Sequence, residues 1–188
     1  AGGNAVDAGV AAAFASTVTE PGVSSLGGGG FLLVRTPDGT SRLHDFFTSV
    51  PSGPTGEVET VTVTYSGTTQ DFHVGNATVA VPGCLDGFLQ AHRTYGIRPR
   101  AQVVGPAITL ARDGIRLEPA QAHAMALIEG VLMLTAESRS RMAPGGTLLG
   151  AGEFFVDAEY ARFLQRIADS EVTRSEEHTS ELQSRQSI

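Results

Sequence analysis

The sequence predicts a mixed α/β (α+β) fold, on three observations. The chain opens with a nearly uncharged, Ala/Val-rich stretch, Ala5 to Val18. Two β units with hairpin turns follow it. From Pro82 onward, helix-like stretches alternate with Gly, Pro and Ser loops. That order (helix, β unit, β unit, many helices) suits a layered protein better than a Rossmann repeat.

The totals bound the possibilities. At 188 residues the chain is long enough for one domain with a real core. The net charge of -7 comes with no basic block, which argues against a nucleic-acid partner. No apolar run reaches the length of a membrane span. Every basic residue is arginine, so a lysine Schiff base and a phosphate-loop lysine are excluded from this stretch. A single cysteine, Cys84, excludes an internal disulfide.

In the first element, Asn4 is placed to cap a helix, with Asp7 three residues on as the capping-box acid. Asp7 is expected to act as cap and helix-dipole partner. Glu20-Pro21-Gly22 ends the helix. The run Gly27-Gly28-Gly29-Gly30 comes next, with apolar residues hard against both sides. Such a run fits a shaped turn that needs positive φ or close approach of another backbone or ligand.

Phe31 to Arg35 reads as a buried strand. Pro37-Asp38-Gly39 has hairpin-turn chemistry, and Leu43 to Phe47 returns. This β unit is expected to pack on the first helix. Ser49 to Glu57 is loop. Val61, Val63 and Tyr65 alternate with Thr60, Thr62 and Thr64, the pattern of a half-exposed strand. Ser66-Gly67 turns it, and Asp71 to Val74 pairs back as an exposed hairpin.

Thr78 to Val81 reads as a short strand. A helix then runs from Pro82-Gly83 to Tyr95, with Leu85, Phe88, Leu89 and His92 on one stripe and Gly96 at its end. Arg100 to Asp113 is the next helix. A third runs from Glu118-Pro119 to about Gly130, and a fourth from Val131 to Ser138. Ala143 to Gly152 is loop. Asp157 to Asp169 closes the series, with Tyr160, Phe163, Leu164 and Ile167 inward.

Local chemistry is sparse. The glycine run precedes a strand, so it is not a dinucleotide fingerprint, although its amides could cradle an anion. The histidines His44, His73, His92, His123 and His178 lack ligand spacing, so no metal and no cofactor is expected. His44 and Asp45 are neighbours on a strand and point to opposite faces. Cys84 sits in a first helical turn, where a thiol pKa can fall, but a small buried residue is the better reading. Ser24-Ser25-Leu26-Gly27 lacks the nucleophile elbow.

Five blocks in order carry a resemblance. These are Gly2-Gly3-Asn4-Ala5-Val6-Asp7-Ala8; Val18-Thr19-Glu20-Pro21 with Leu26-Gly27-Gly28-Gly29-Gly30-Phe31; Val79-Ala80-Val81-Pro82-Gly83 with Tyr95-Gly96; Pro106-Ala107-Ile108 through Leu110-Ala111-Arg112-Asp113-Gly114; and the helix around Phe163 to Ala168. Together they strongly resemble the γ-glutamyltransferase (glutathione hydrolase) family, over roughly Ala1 to Asp169. The resemblance implies part of a four-layer α-β-β-α N-terminal-nucleophile hydrolase sandwich. It also implies a precursor that cuts itself into large and small subunits. The small subunit's new N-terminal Thr attacks a γ-glutamyl amide with its own amino group as base. An oxyanion hole stabilises the intermediate, and water or an amino acid takes the acyl group.

On this reading residues 1–173 are the N-terminal part of the large subunit. The fragment holds no catalytic residue, is inactive alone, and needs the small subunit of its precursor as partner. The first helix lies hard against the start of the sequence, so a leader and either an exported or a cytoplasmic location stay open. Residues 174–188 resemble a translated sequencing adapter and are read as a non-native tail.

One departure bears on specificity. The family's returning strand reads Asp-x-Arg-Glu before a Pro, and the Arg grips the glutamyl α-carboxylate. Here Asp45-Phe46-Phe47-Thr48-Ser49-Val50-Pro51 puts Phe47 in the arginine's place and Thr48 in the glutamate's. An aromatic ring cannot clamp a carboxylate. Either another residue supplies the charge, or the acyl group is not glutamyl. The Val61 to Tyr65 hairpin departs as well. The leading reading is therefore a divergent γ-glutamyl amidohydrolase or acyltransferase. The alternatives are an acylase for β-lactam side chains and an inactive binding member.

Overall fold

The computed structural model describes residues 2–52, 56–65 and 67–170. The expected boundary at 173/174 and the tail beyond it lie outside the described residues.

Helix α1, Ala5–Thr19, begins at the capping box anticipated for it. Asp7 N–H donates to Asn4 Oδ1 at 2.9 Å, and Asn4 N–H donates back to Asp7 Oδ2 at 2.9 Å. Val10, Phe14, Thr17 and Val18 form its buried face, at helical spacing.

Strands β1 (Phe31–Arg35) and β2 (Ser41–Asp45) pair antiparallel, with Phe31 opposite Asp45 and Leu33 opposite Leu43. The expectation of a buried strand is wrong for β1. Phe31 is 58% exposed and Leu33 66%, while Val34 is buried and Leu32 half-buried. Successive strand residues alternate faces. Among the described residues, helices pack against one face of this hairpin and nothing covers the other.

The β unit is also seated differently than expected. It sits on α2 (Cys84–Tyr95), and a chain of rings links it to α1. Phe46 packs edge-on to Phe88 (5.7 Å between centroids), and Phe88 edge-on to the fully buried Phe14 (5.4 Å).

Strands β3 (Glu59–Tyr65) and β4 (Thr68–Val74) form the anticipated second hairpin, with Val63 buried. The expected strand at 78–81 is absent. A 3-10 turn at Asn76–Thr78 stands there, followed by one bridge between Ser49 and Val81. Val79 and Val81 are exposed, so no packed face rewards a regular strand.

Helix α3, Arg100–Asp113, is the centre of the helical layer, packed against α1 on one side and α7 (Ala158–Asp169) on the other. Val104, Ala107 and Ala111 are fully buried on it. Their small side chains let the neighbouring helices approach closely. Leu164 of α7 is equally buried, and Asp157 caps that helix through Tyr160 N–H at 2.8 Å.

The two helices expected between 118 and 138 are three: α4 (Pro119–Leu127), α5 (Glu129–Leu132) and α6 (Ala136–Met142). Ile128 leaves helical geometry at φ -109°, ψ 20°. Thr135 starts a fresh helix by accepting from Ser138 N–H at 3.1 Å. A further pair, β5 (Ile115–Arg116) with β6 (Phe154–Phe155), closes the 114–157 excursion.

Candidate functional site

The glycine run, the end of β2 and the start of α2 meet at one point. Gly28 carbonyl accepts from the backbone N–H groups of Gly83 (3.0 Å) and Cys84 (3.1 Å). Gly30 and Phe46 exchange two backbone bonds, at 3.0 and 3.3 Å. The loop is therefore fixed to the first turn of α2 on one side and to the returning strand on the other.

Close approach, not positive φ, is why glycine is needed. None of Gly27, Gly28, Gly29 or Gly30 is among the glycines with positive φ. A Cβ on Gly29 would collide with Thr48 N and stand 2.9 Å from both Phe46 O and Phe47 C, all of them backbone atoms. Gly28 and Gly27 differ: their nearest atoms would lie at 3.4 and 3.5 Å. Gly83 and Gly87 are also required, since a Cβ on either would strike Phe46. The run brings the backbone of Phe46, Phe47 and Thr48 flat against the loop.

Phe47 and Thr48, expected at the substrate, lie at this junction. Thr48 is half-buried. Phe47 is 62% exposed, and its ring stacks on Phe31 with centroids 5.6 Å apart and planes 14° from parallel. Its backbone N–H donates to Asp45 Oδ1 at 3.0 Å, which fixes the bend after β2. Because Phe31 pairs with Asp45, Phe47 is its diagonal cross-strand neighbour. Counting register back from the Pro37-Asp38-Gly39 turn would have found this pair.

Asn4 and Asp7 lie away from this junction, at the other end of α1. Asp7 does more than cap. It is 4% exposed and accepts from Ile97 N–H (3.1 Å) and Arg98 N–H (3.2 Å), with His92 Nε2 at 3.6 Å. Asn4 Nδ2 donates to Tyr95 O at 2.6 Å. Burial pushes the Asp7 carboxyl up. The backbone bonds from Asn4, Arg98 and Ile97, with His92 nearby, outweigh it and hold the group below the usual carboxylate range. No local signal announces these partners.

The remaining candidates fall into structural roles. Cys84 is buried and burial pushes its thiol up, away from nucleophilic thiolate. His92 Nε2 is 2.9 Å from the carbonyl of Arg98. His44 points its Nε2 inward with no hydrogen-bond partner, its ring edge-on to Tyr95. Among the described residues, no three His, Cys, Asp or Glu side chains gather as a metal site, and no helix is long and apolar enough to cross a membrane.

A family model described as "Gamma-glutamyltranspeptidase" matches residues 1–175. The chain is similar to the Acylase ACY 1 proenzyme of Pseudomonas sp. (strain SE83), 35% identical over 173 residues, which is 89% of this chain and 31% of that protein. It is 34% identical over 169 residues to Glutathione hydrolase proenzyme 1 of Schizosaccharomyces pombe, covering 89% of this chain and 26% of that protein. Among solved structures it is similar to the Helicobacter pylori gamma-glutamyltranspeptidase, with a TM-score of 0.75 and 28% identity over 89% of this chain and 48% of that one. The chain thus spans about a third or less of the curated relatives' length.

Proposed function

The chain belongs to the γ-glutamyltranspeptidase family, and from that premise we propose that the complete protein is a self-processing enzyme that transfers or hydrolyses γ-glutamyl amides. This chain supplies the front of its large subunit. The family match across residues 1–175 is the observation that carries the reading. The word proenzyme in both curated relatives' names supports a precursor that is cut.

The chemistry belongs to a Thr exposed at the new N-terminus of the small subunit. Its hydroxyl oxygen attacks the amide carbonyl while its α-amino group takes the hydroxyl proton. The tetrahedral oxyanion collapses, the amide C–N bond breaks, and the leaving amine takes that proton. Water or an amino-acid amine then attacks the acyl ester and regenerates the Thr hydroxyl. In this reading the present chain contributes a wall of the acyl site. Gly29 holds the Phe46–Thr48 backbone in place, and Phe47 and Thr48 face the acyl group.

A second reading has its own support. Phe47 stacked on Phe31 presents an uncharged aromatic surface. That surface favours an apolar acyl group over glutamyl, so an acylase of non-glutamyl amides is the alternative.

The test is expression of the full gene, a denaturing gel, and N-terminal sequencing of the bands. Two bands, the smaller beginning with Thr, are expected. A single uncut band, with no turnover of γ-glutamyl or other amides, overturns both readings and leaves a binding role.

A further inference from the structure

The outward face of the β1–β2 hairpin carries its charge unevenly. Its cross-strand pairs run Arg35–Ser41, Leu33–Leu43 and Phe31–Asp45. Asp45 is directly opposite Phe31 and two residues before Phe47, so its carboxylate shares a face with both stacked rings. Opposed residues of an antiparallel pair hold their Cβ atoms about 4.5–5.5 Å apart, close enough for one group to touch ring and carboxylate together. Asp45 uses Oδ1 to accept from Phe47 N–H at 3.0 Å. Among the described residues, no hydrogen bond or ion pair reaches its Oδ2. Arg35, the cation on this face, is four residues along β1, about 13 Å at the strand rise, beyond the Leu33–Leu43 pair. Both rings stay more than half exposed, so aromatic surface is open beside the carboxylate.

We propose that Phe31, Asp45 and Phe47 form a subsite for a positively charged acyl group, so that the complete enzyme prefers amides of cationic acids, quaternary or primary ammonium, over neutral ones of the same shape. Charge complementarity selects this occupant. The face of an aromatic ring is electron-rich and attracts a cation placed over it. The adjacent carboxylate adds a full negative charge in the same place. An acyl carboxylate meets the opposite conditions: a like charge from Asp45 and, with Phe47 in the arginine's place, no clamp at that position. The subsite is thus reversed in sign from the one an arginine there would make. Its two parts are also coupled, because the Oδ1 bond that fixes the bend holds Phe47 beside the acid. The inference rests on the reading that the end of β2 walls the acyl site.

The experiment uses the full-length protein and two anilides matched in shape, of 4-(trimethylammonio)phenylacetic acid and of 4-tert-butylphenylacetic acid. The parent is expected to favour the cationic anilide about tenfold in kcat/KM, mostly through KM. That ratio should narrow as salt is raised from roughly 0.05 to 1 M. Asp45→Asn keeps an oxygen acceptor for Phe47 N–H but removes the charge, and should bring the ratio to about one. Asp71→Asn, which removes the same charge from the exposed β4 strand, should leave the ratio as in the parent. A parent ratio near or below one overturns the proposal without any variant. So does a ratio that survives Asp45→Asn, or one that falls equally in Asp71→Asn. Turnover of a γ-glutamyl anilide with neither arylacetyl anilide cleaved defeats this inference and leaves the γ-glutamyl reading standing. A protein that neither cuts itself nor turns over any of the three defeats the enzymatic reading, and the inference with it.

Discussion

The carboxylate of Asp7 accepts a hydrogen bond from the backbone N–H of Ile97 at 3.1 Å, across ninety residues of sequence. One acid thereby closes the first turn of α1 and ties it to the link between α2 and α3. Its pKa lies below the unfolded value, so it contributes stability that is fully present above about pH 4 and is lost as pH falls through the folded pKa. Asp7→Asn removes the charge and is expected to lower the melting temperature at neutral pH. It should also flatten the acid limb of a stability-versus-pH curve below about pH 4. Urea denaturation across that range, beside the parent protein, checks both. An unchanged acid limb would deny Asp7 this role.

Gly29 and Gly28 are expected to differ sharply although they are neighbours. Ala at 29 drives its Cβ into the backbone of Phe46–Thr48, which cannot yield as a flexible side chain can. Overpacking of this kind costs about 1–3 kcal/mol, or more where backbone must move. Ala at 28 meets Ser25 O at 3.4 Å and Cys84 Sγ at 3.7 Å, ordinary contacts. Thermal denaturation of Gly28→Ala and Gly29→Ala should therefore separate. Equal midpoints would show that the run serves another purpose.

These contrasts mark what was legible in the sequence. Local chemistry was: the Asn4/Asp7 capping box and the bounds of α3 between Pro99 and Gly114 stand as read, and of the stripe read for α7 Leu164 and Ile167 are buried while Tyr160 and Phe163 are half-buried. Signals that depend on the partner were not. A two-residue strand such as Phe154–Phe155 has no period to detect. The exposure of Leu33 follows from what covers the hairpin, which its own apolar sequence does not reveal. The expected helix over 118–130 broke at Ile128 because the chain turns where the β3–β4 hairpin packs, with Val61 beside Gly130. At the site, four glycines announced close approach, but only the fold identifies Gly29 as the one that needs it.

Tyr160 is a half-buried phenol of the helical layer. Burial pushes its pKa above 10, against the hydrogen bond to Thr17, with Asp157 and Cys84 adding to the rise. Its neutral form therefore contributes stability that is present below pH 10 and is lost as pH rises through the folded pKa. Tyr160→Phe removes one neutral hydrogen bond, at a cost of about 0.5–1.5 kcal/mol. Thr17 still donates to Phe14 O at 2.7 Å, so no buried hydroxyl is orphaned. Denaturation between pH 8 and 11 should show a steeper alkaline loss in the parent than in the variant. Parallel curves would place the alkaline transition elsewhere.

Phe47 offers a direct test of acyl specificity. Its ring is largely exposed, and it contributes little to the core beyond its stack on Phe31. Phe47→Arg is therefore expected to change stability by about 0.5 kcal/mol or less, the usual range for surface positions. What it changes is the chemistry of the wall: a planar cation that can clamp a carboxylate replaces an aromatic face. In the full-length enzyme, kcat/KM for a γ-glutamyl anilide should rise at least tenfold relative to an arylacetyl anilide, with most of the change in KM. Tenfold corresponds to about 1.4 kcal/mol, below the ordinary worth of a charged hydrogen bond. Phe31→Ala should weaken the arylacetyl substrate alone, because it removes the partner that holds Phe47 flat. If Phe47→Arg folds and self-cleaves normally while the ratio stays fixed, the Phe31–Phe47 pair lies outside the acyl site. The aromatic stack would then belong to the packing of this sheet face against the rest of the precursor.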